Sequence, residues 1–471
     1  MMPPAEQAAG HASPDGRAAL EPLGDPAADL PYITPEFEGI GGFIKHRYAD
    51  FLVEEIPKYD PVGTGEHCYL LVEKRGMATS DMLRVVADHF GVDRDAVGYA
   101  GMKDKYAVTR QVVSVHTPGR NVDSFGALEH PNVNVLWADM HVNKLRVGHL
   151  RGNRFSVKIR GVMSDRVIQA ERTLRALVRR GLANYYGEQR FGARFNNHEV
   201  GRADIVGDFP RAIDLLLLPD SRFETFNPKL TSAYAAGDLR AALGACADHQ
   251  PAERSILRAL VRGDSPEHAV RAIGRLQRRF FLSAFQSHLF NRVCAARVHD
   301  ATHDRLLEGD LAYKHANGAV FSVGEAELGT GAARAELDGR LRAFGISPSG
   351  PMWGAEMTRA TGEPGMLEEE VLGESGVSVE ALAAHQRRIG SKLGGTRRSL
   401  RVQVVDAEID AGVDEVGHYV RCAFELPAGS FATVVMREII KGGPREQPGT
   451  LFRGAGKYEP DTRHEHDEET G

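Results

Sequence analysis

The chain has 471 residues, enough for two or three domains with ample core, and its apolar and charged fractions of 42% and 26% are those of an ordinary globular protein. No apolar run approaches the roughly 20 residues of a membrane helix, and residues 215–218 stop at Pro219. Cys68, Cys246, Cys294 and Cys422 are far apart with no C-x-x-C pair, so neither a zinc site nor a disulfide framework is expected, and a reducing cytoplasm is the simplest compartment. The net charge of −6 argues against a nucleic-acid binder until its distribution is read. Residues 1–40 hold seven acids against Arg17, and residues 457–471 hold six against Lys457 and Arg463. The body between them is net positive, and residues 141–202 carry fourteen Lys or Arg against four acids. That is the footprint expected for a polyanion, although a solvated basic helix face has the same composition.

In chain order, residues 1 to about 35 are rich in Ala, Pro and acids, with no basic start and no apolar h-region. They read as part of a disordered extension, taken as 1–38, and not as a signal or transit peptide. Structure is expected from Phe43, where FIKHRYADFLVEEIP reads strand, turn, strand, with Lys45 an edge-strand lysine by position alone. HCYLLVE (67–73) is the next strand. Thr79 or Ser80 then caps a helix whose Met82, Val86 and Phe90 recur at i, i+4, i+8 and which Gly91 closes.

The apolar run 96–99 leads into YAGMKDKYAVTRQ (99–111), a strand end turning into a loop, where scaffolds present reactive groups. The β-branched strand 110–117 holds the other end. Asp104 lies between Lys103 and Lys105, and nearby cations favour the ionised carboxylate, which suits a base or nucleophile. Standing alone, such a triplet is usually a charged surface turn. A strand follows at 133–137, then GHLRGNRFSVKIR (148–160), where a Gly152-Asn153 turn precedes an alternating strand and sets Asn153 and Phe155 at its mouth. Residues 164–180 form an amphipathic helix ended by Gly181. NYYGEQRFG (184–192) interleaves aromatic and basic groups, as an RNA loop contact or a buried domain crossing would.

From about 193 to 394 the pattern is mostly helical, clearest at 276–298. Within it Gln286 and Asn291 read as structural hydrogen-bonding groups before RNA contacts, and His288 as structural too, since no second ligand stands at metal spacing from it. GTGAAR (329–334) lacks the third glycine and the preceding strand of a dinucleotide loop. Gly394 and Gly395 return the chain to strands at 400–405 and 418–426 and to a helix with Ser430 as N-cap. The two histidines of the acidic tail DTRHEHDEETG read as solvated.

The 99–111 segment resembles the signature of the TruD family of tRNA pseudouridine synthases, A-G-x-K-D-(K/R)-x-A-x-T-x-Q, with Asp104 on the catalytic aspartate. Further family-like blocks follow in order at 144–160, 184–192, 283–291 (SAFQSHLFN) and 426–438 (LPAGSFATVVMRE), so the resemblance spans roughly 41–440. It implies an α+β fold: a pseudouridine-synthase catalytic domain with a mixed antiparallel sheet, interrupted by a largely helical α/β insertion (TRUD) domain. The expected division is 39–192 and 395–445 for the catalytic domain and 193–394 for the insertion, with disordered acidic ends at 1–38 and 446–471. The insertion is longer than a compact bacterial member needs, with the excess at 203–250 and 355–380. The resemblance implies that Lys45 lies beside Asp104, that Phe155 packs on the target base, and that the substrate is tRNA, modified at uridine 13 in bacterial relatives. Asn153 is expected to fix the loop, and RNA contacts are expected from Lys103, Lys105, Arg151, Arg154, Tyr186 and Arg190. The isomerisation gains and loses no atom, so no cofactor, metal or nucleotide is expected, and no protein partner is indicated. Two other readings stay open. One is a non-catalytic RNA-binding or RNA-folding protein. The other is a hydrolase whose second carboxylate, Glu54 or Glu55, stands about 5–9 Å away.

Overall fold

The computed structural model describes residues 21–220, 222, 226–390 and 394–441. They form two compact units, one of residues 31–185 with 400–441 and the other of residues 21–30 with 186–399. The acidic stretches 1–20 and 442–471, including the tail histidines, lie outside the described residues.

The first unit is built on Phe51–Pro57 (β1), His67–Arg75 (β2), Val97–Tyr99 (β3), Val108–His116 (β4), Val133–His141 (β5), Leu150–Arg160 (β6), Val405–Asp414 (β7) and Gly417–Pro427 (β8). They make one eight-stranded sheet in the order β7-β8-β6-β1-β4-β2-β5, with β3 on β4. Only β1 and β4 run parallel, so the sheet is mixed. Because paired residues share a face, Lys74, Thr109, Val53, Phe155 and Phe424 form one row across five strands. Helix α1 (Thr79–Phe90) packs on this face, burying Met82, Val86 and Phe90 with Val72, Val113 and Val115. Gly91 closes it at φ +63°, the left-handed conformation that glycine adopts without strain. Helices α2 (Val167–Arg180) and α3 (Ala432–Ile440) pack on one another.

The second unit is largely helical, around the 25-residue helix Arg275–His299 and a four-stranded sheet of Thr396–Ser399, Ile346–Met352, Leu311–Lys314 and Val320–Ser322. The stretches read as excess loops are mostly helices. Phe209–Leu217, Pro228–Ala235, Pro251–Val261 and Pro266–Arg271 share a core of Ile213, Leu217, Leu230, Ile256 and Val270. Gly362–Glu374 and Val379–Ile389 pack around Phe285, Leu289 and Trp353. No helix among the described residues is long and apolar enough to cross a membrane.

Several boundaries differ from expectation for local reasons. The turn at Gly152-Asn153 does not form. Gly152 lies inside β6 opposite Ile56 and Pro427, where a Cβ would stand 2.2 Å from the Leu426 carbonyl, so the glycine serves close backbone approach. Neither Thr79 nor Ser430 caps its helix; the N-cap positions are Ala78 and Phe431. Residues 21–38, read as disordered, make specific bonds. Within the second unit Arg202 donates to the Glu21 carbonyl at 2.7 Å. Within the first, the Ile33 amide and the Thr34 hydroxyl donate to buried Glu438 at 2.8 and 2.7 Å. NYYGEQRFG divides between the units, since the Asn184 amide donates to Leu400 O at 2.8 Å whereas Tyr186 exchanges hydrogen bonds with Asn291.

Candidate active site

Asp104 lies in the loop between β3 and β4. One carboxylate oxygen accepts from the Tyr106 amide at 2.9 Å and the other is ion-paired with Lys45. The Asp104 side chain is 16% exposed and that of Lys45 6%, so the carboxylate reaches solvent while its cation does not. Lys45 has φ +62°, unusual for a residue with a Cβ, and its ammonium stands 4.5 Å from the centre of the Phe51 ring. Gly42 lets the chain enter that turn, because a Cβ there would meet the Arg160 carbonyl at 2.4 Å.

The loop backbone is clamped from below. Lys74, fully buried, donates to the carbonyls of Asp104 at 2.7 Å and Met77 at 2.8 Å. The Thr79 hydroxyl accepts from the Lys103 amide at 2.9 Å, and the Gln111 side chain donates to the Gly101 carbonyl at 3.3 Å. Burial pushes the Lys74 ammonium down to about 8, against the opposing pull of Asp104. None of these three was given this role from the sequence, where Thr79 reads as a helix cap and Gln111 only as the end of the signature. A signal existed for Lys74, because it continues the inward period-two series Cys68, Leu70, Val72, where an apolar residue is expected. Thr79 forgoes helix capping to hold the loop, which spacing does not reveal.

The other expected site residues fare unevenly. Phe155 is 7% exposed, with its ring 6.4 Å from Phe51 and 5.7 Å from Phe424, on the face that carries Lys74. Lys103 turns inward to an ion pair with Glu55, the two side chains 4% and 1% exposed, which removes it from any RNA surface. Lys105 is exposed on the loop beside exposed Met102 and Tyr106. Asn153 makes no hydrogen bond through its buried Oδ1, so Lys74, Thr79 and Gln111 fix the loop in its place. Arg151 is exposed, and Arg154 is shared between Glu408 and Glu425. Tyr186 and Arg190 belong to the second unit. There Arg190 lies over Tyr186 and Phe280 and bonds Ser287 at 3.2 Å, so both side chains are packed within that unit and half-buried.

The basic run 141–202 is likewise dispersed. Arg160 is buried against Asp50 and Asp414, Lys158 also pairs with Asp414, Arg175 with Glu171, Arg180 with Glu36, and Arg202 with Glu199. Among the described residues of the run, the exposed Arg146, Arg151, Arg166, Arg172 and Arg179 keep no ion pair. Both candidate second carboxylates are taken, Glu54 by Arg110 and Glu55 by Lys103. A paired-carboxylate hydrolase has no partner there.

Fold and site together define an α+β protein with one reachable carboxylate on a clamped loop of a mixed sheet, interrupted by a helical unit. The family model described as "tRNA pseudouridine synthase D (TruD)" matches residues 28–439. A tRNA pseudouridine synthase D from Geobacter metallireducens is 43% identical over 88% of this chain and 98% of its own length. One from Anaeromyxobacter sp. is 36% identical over 88% and 97%. In fold, the chain is similar to a solved TruD structure from Methanosarcina mazei, with a TM-score of 0.70 over 88% of this chain and 96% of the other, at 24% identity. The chain belongs to the TruD family of tRNA pseudouridine synthases.

Proposed function

We propose that this protein isomerises a uridine of tRNA to pseudouridine in the cytoplasm, with Asp104 as its catalytic residue and position 13, the site in bacterial relatives, as its target. The observation that carries this reading is the setting of Asp104. Its carboxylate is partly exposed, faced by a buried cation, and borne on a loop whose carbonyls and amide are held by Lys74, Thr79 and Gln111. Such preorganisation suits a group that must meet one reacting atom.

In the reaction the bond from C1′ to N1 breaks, the freed base turns, and C1′ bonds to C5, whose proton leaves to solvent while N1 gains one. A stacked uridine cannot turn, so the nucleotide is flipped out of the RNA. Asp104 either attacks C1′ or removes the C2′ proton, and both routes need its anionic form. Lys45 is a positioning residue that holds the charge. Phe155, its ring braced by Phe51 and Phe424, is the aromatic on which the flipped base packs. Because no atom is gained or lost overall, the chemistry calls for no cofactor.

The test is tritium release from [5-³H]uridine-labelled tRNA, with modified positions mapped by reverse-transcription stops. Wild-type protein releases label, and Asp104→Asn releases none while its affinity for tRNA stays close to wild type. Label release by Asp104→Asn at the wild-type rate sinks the assignment. A wild type that binds tRNA without release leaves the non-catalytic RNA-binding reading.

A further inference from the structure

A second feature of the sheet unit is a cavity of about 560 Å³ where β5 ends and the segment 142–149 crosses toward β6. Its aromatic wall is locked. Tyr59 donates to, or accepts from, His149 Nδ1 at 2.7 Å and stacks on His141 at 5.3 Å and 20°. His141 is 7% exposed, backed by Tyr69 at 4.7 Å, and its Nδ1 has no hydrogen-bond partner. Lys144 is tethered by its ammonium to the Asp95 carbonyl, and Arg146 is exposed with no ion pair among the described residues. Asp60 adds an exposed carboxylate. The wall is coupled to the loop of Asp104, since the Gly148 amide donates to the Ala100 carbonyl at 2.8 Å.

The chemistry narrows the occupant. Two cations and an orphaned imidazole nitrogen suit an anion, yet a site for a bare anion would exclude a carboxylate. A ribose-phosphate uses both. Its phosphate meets Lys144 and Arg146, and its 2′-hydroxyl donates to Asp60, the group by which proteins separate RNA from DNA. We infer that this cavity binds one ribose-phosphate of the tRNA outside the target nucleotide and anchors the strand beside the catalytic loop. The inference rests on the reading of Asp104 given above and names a contact which that reading does not require.

The experiment uses the full chain, an unmodified tRNA transcript and a DNA of the same sequence. Arg146→Glu raises both the tRNA dissociation constant and KM about tenfold or more and flattens the slope of log K against log salt by about 0.7–0.9, the change expected for one lost phosphate contact. Arg146 is exposed, so the variant folds, and Arg146→Lys restores most of the affinity. Asp60→Ala weakens binding of tRNA but not of the DNA. Inorganic phosphate and UMP at millimolar concentration leave tRNA bound. Unchanged affinity, KM and salt slope in Arg146→Glu overturn the inference, and displacement of tRNA by micromolar UMP reassigns the cavity to a free nucleotide and overturns it too. A wild type that forms no pseudouridine, together with an Arg146→Glu loss of tRNA binding, would sink the functional reading and keep the cavity. Normal pseudouridine formation with unaltered Arg146→Glu binding does the reverse.

Discussion

At the scale of the residue, Asp104 depends on two lysines that act on it differently. Lys45 faces the carboxylate, whereas Lys74 holds the backbone carbonyl of the same residue. Lys45→Met leaves the carboxylate without its buried cation, so kcat falls at least about a hundredfold while tRNA affinity holds, a split that single-turnover rates and filter binding measure. Lys74 has a pH signature. Its folded value of about 8 lies below the ordinary 10.5, so the unfolded chain binds its proton more tightly, and stability from this group rises between those two values as pH increases. The cost of burying the charge is carried in full below pH 8. Urea denaturation of wild type and Lys74→Met across pH 7–11 is therefore expected to show a rise of about 3 kcal/mol in wild type that the variant lacks.

Elements position these residues by close backbone approach as much as by side-chain packing. Gly152 lies where β6 passes between β1 and β8, and a methyl group there would be driven into the Leu426 carbonyl. Gly152→Ala is expected to cost about 1–3 kcal/mol and lower the midpoint of thermal unfolding, because the strand must shift to admit it. The same glycine carries a misleading local signal. Glycine followed by asparagine is a turn signal in isolation, and only the neighbouring strand reveals that this one is there for lack of a Cβ. β7 was equally hard to place. It is a mostly polar edge strand whose acids, Asp410 and Glu408 among them, pair with arginines, so the apolar alternation that identified β4 and β6 is missing.

At the scale of the whole molecule, segments distant in sequence close the sheet unit. Glu438 of α3 accepts from the amides of Ile33 and Thr34 and from the Thr34 hydroxyl, all buried. Glu438→Ala leaves three donors unpaired in the interior and is expected to cost about 3–5 kcal/mol by chemical denaturation, more than an exposed substitution could. What the sequence settled by itself was local: the periodicity of α1 and of the helix 275–299, the alternating strands β2, β4 and β6, and the A-G-x-K-D motif with Asp104, since each is written in neighbouring residues. Lys45 was reached only through the family's pattern, 59 positions from its partner. What tertiary structure alone decided was the use of charge. Arginines and lysines that are alike in sequence become a buried pair at Lys103, a network at Arg160, a clamp at Lys74 or a bare cation at Arg146, because the energy of a charge is set by the solvent and counter-charge around it, and those come from segments the local sequence does not contain.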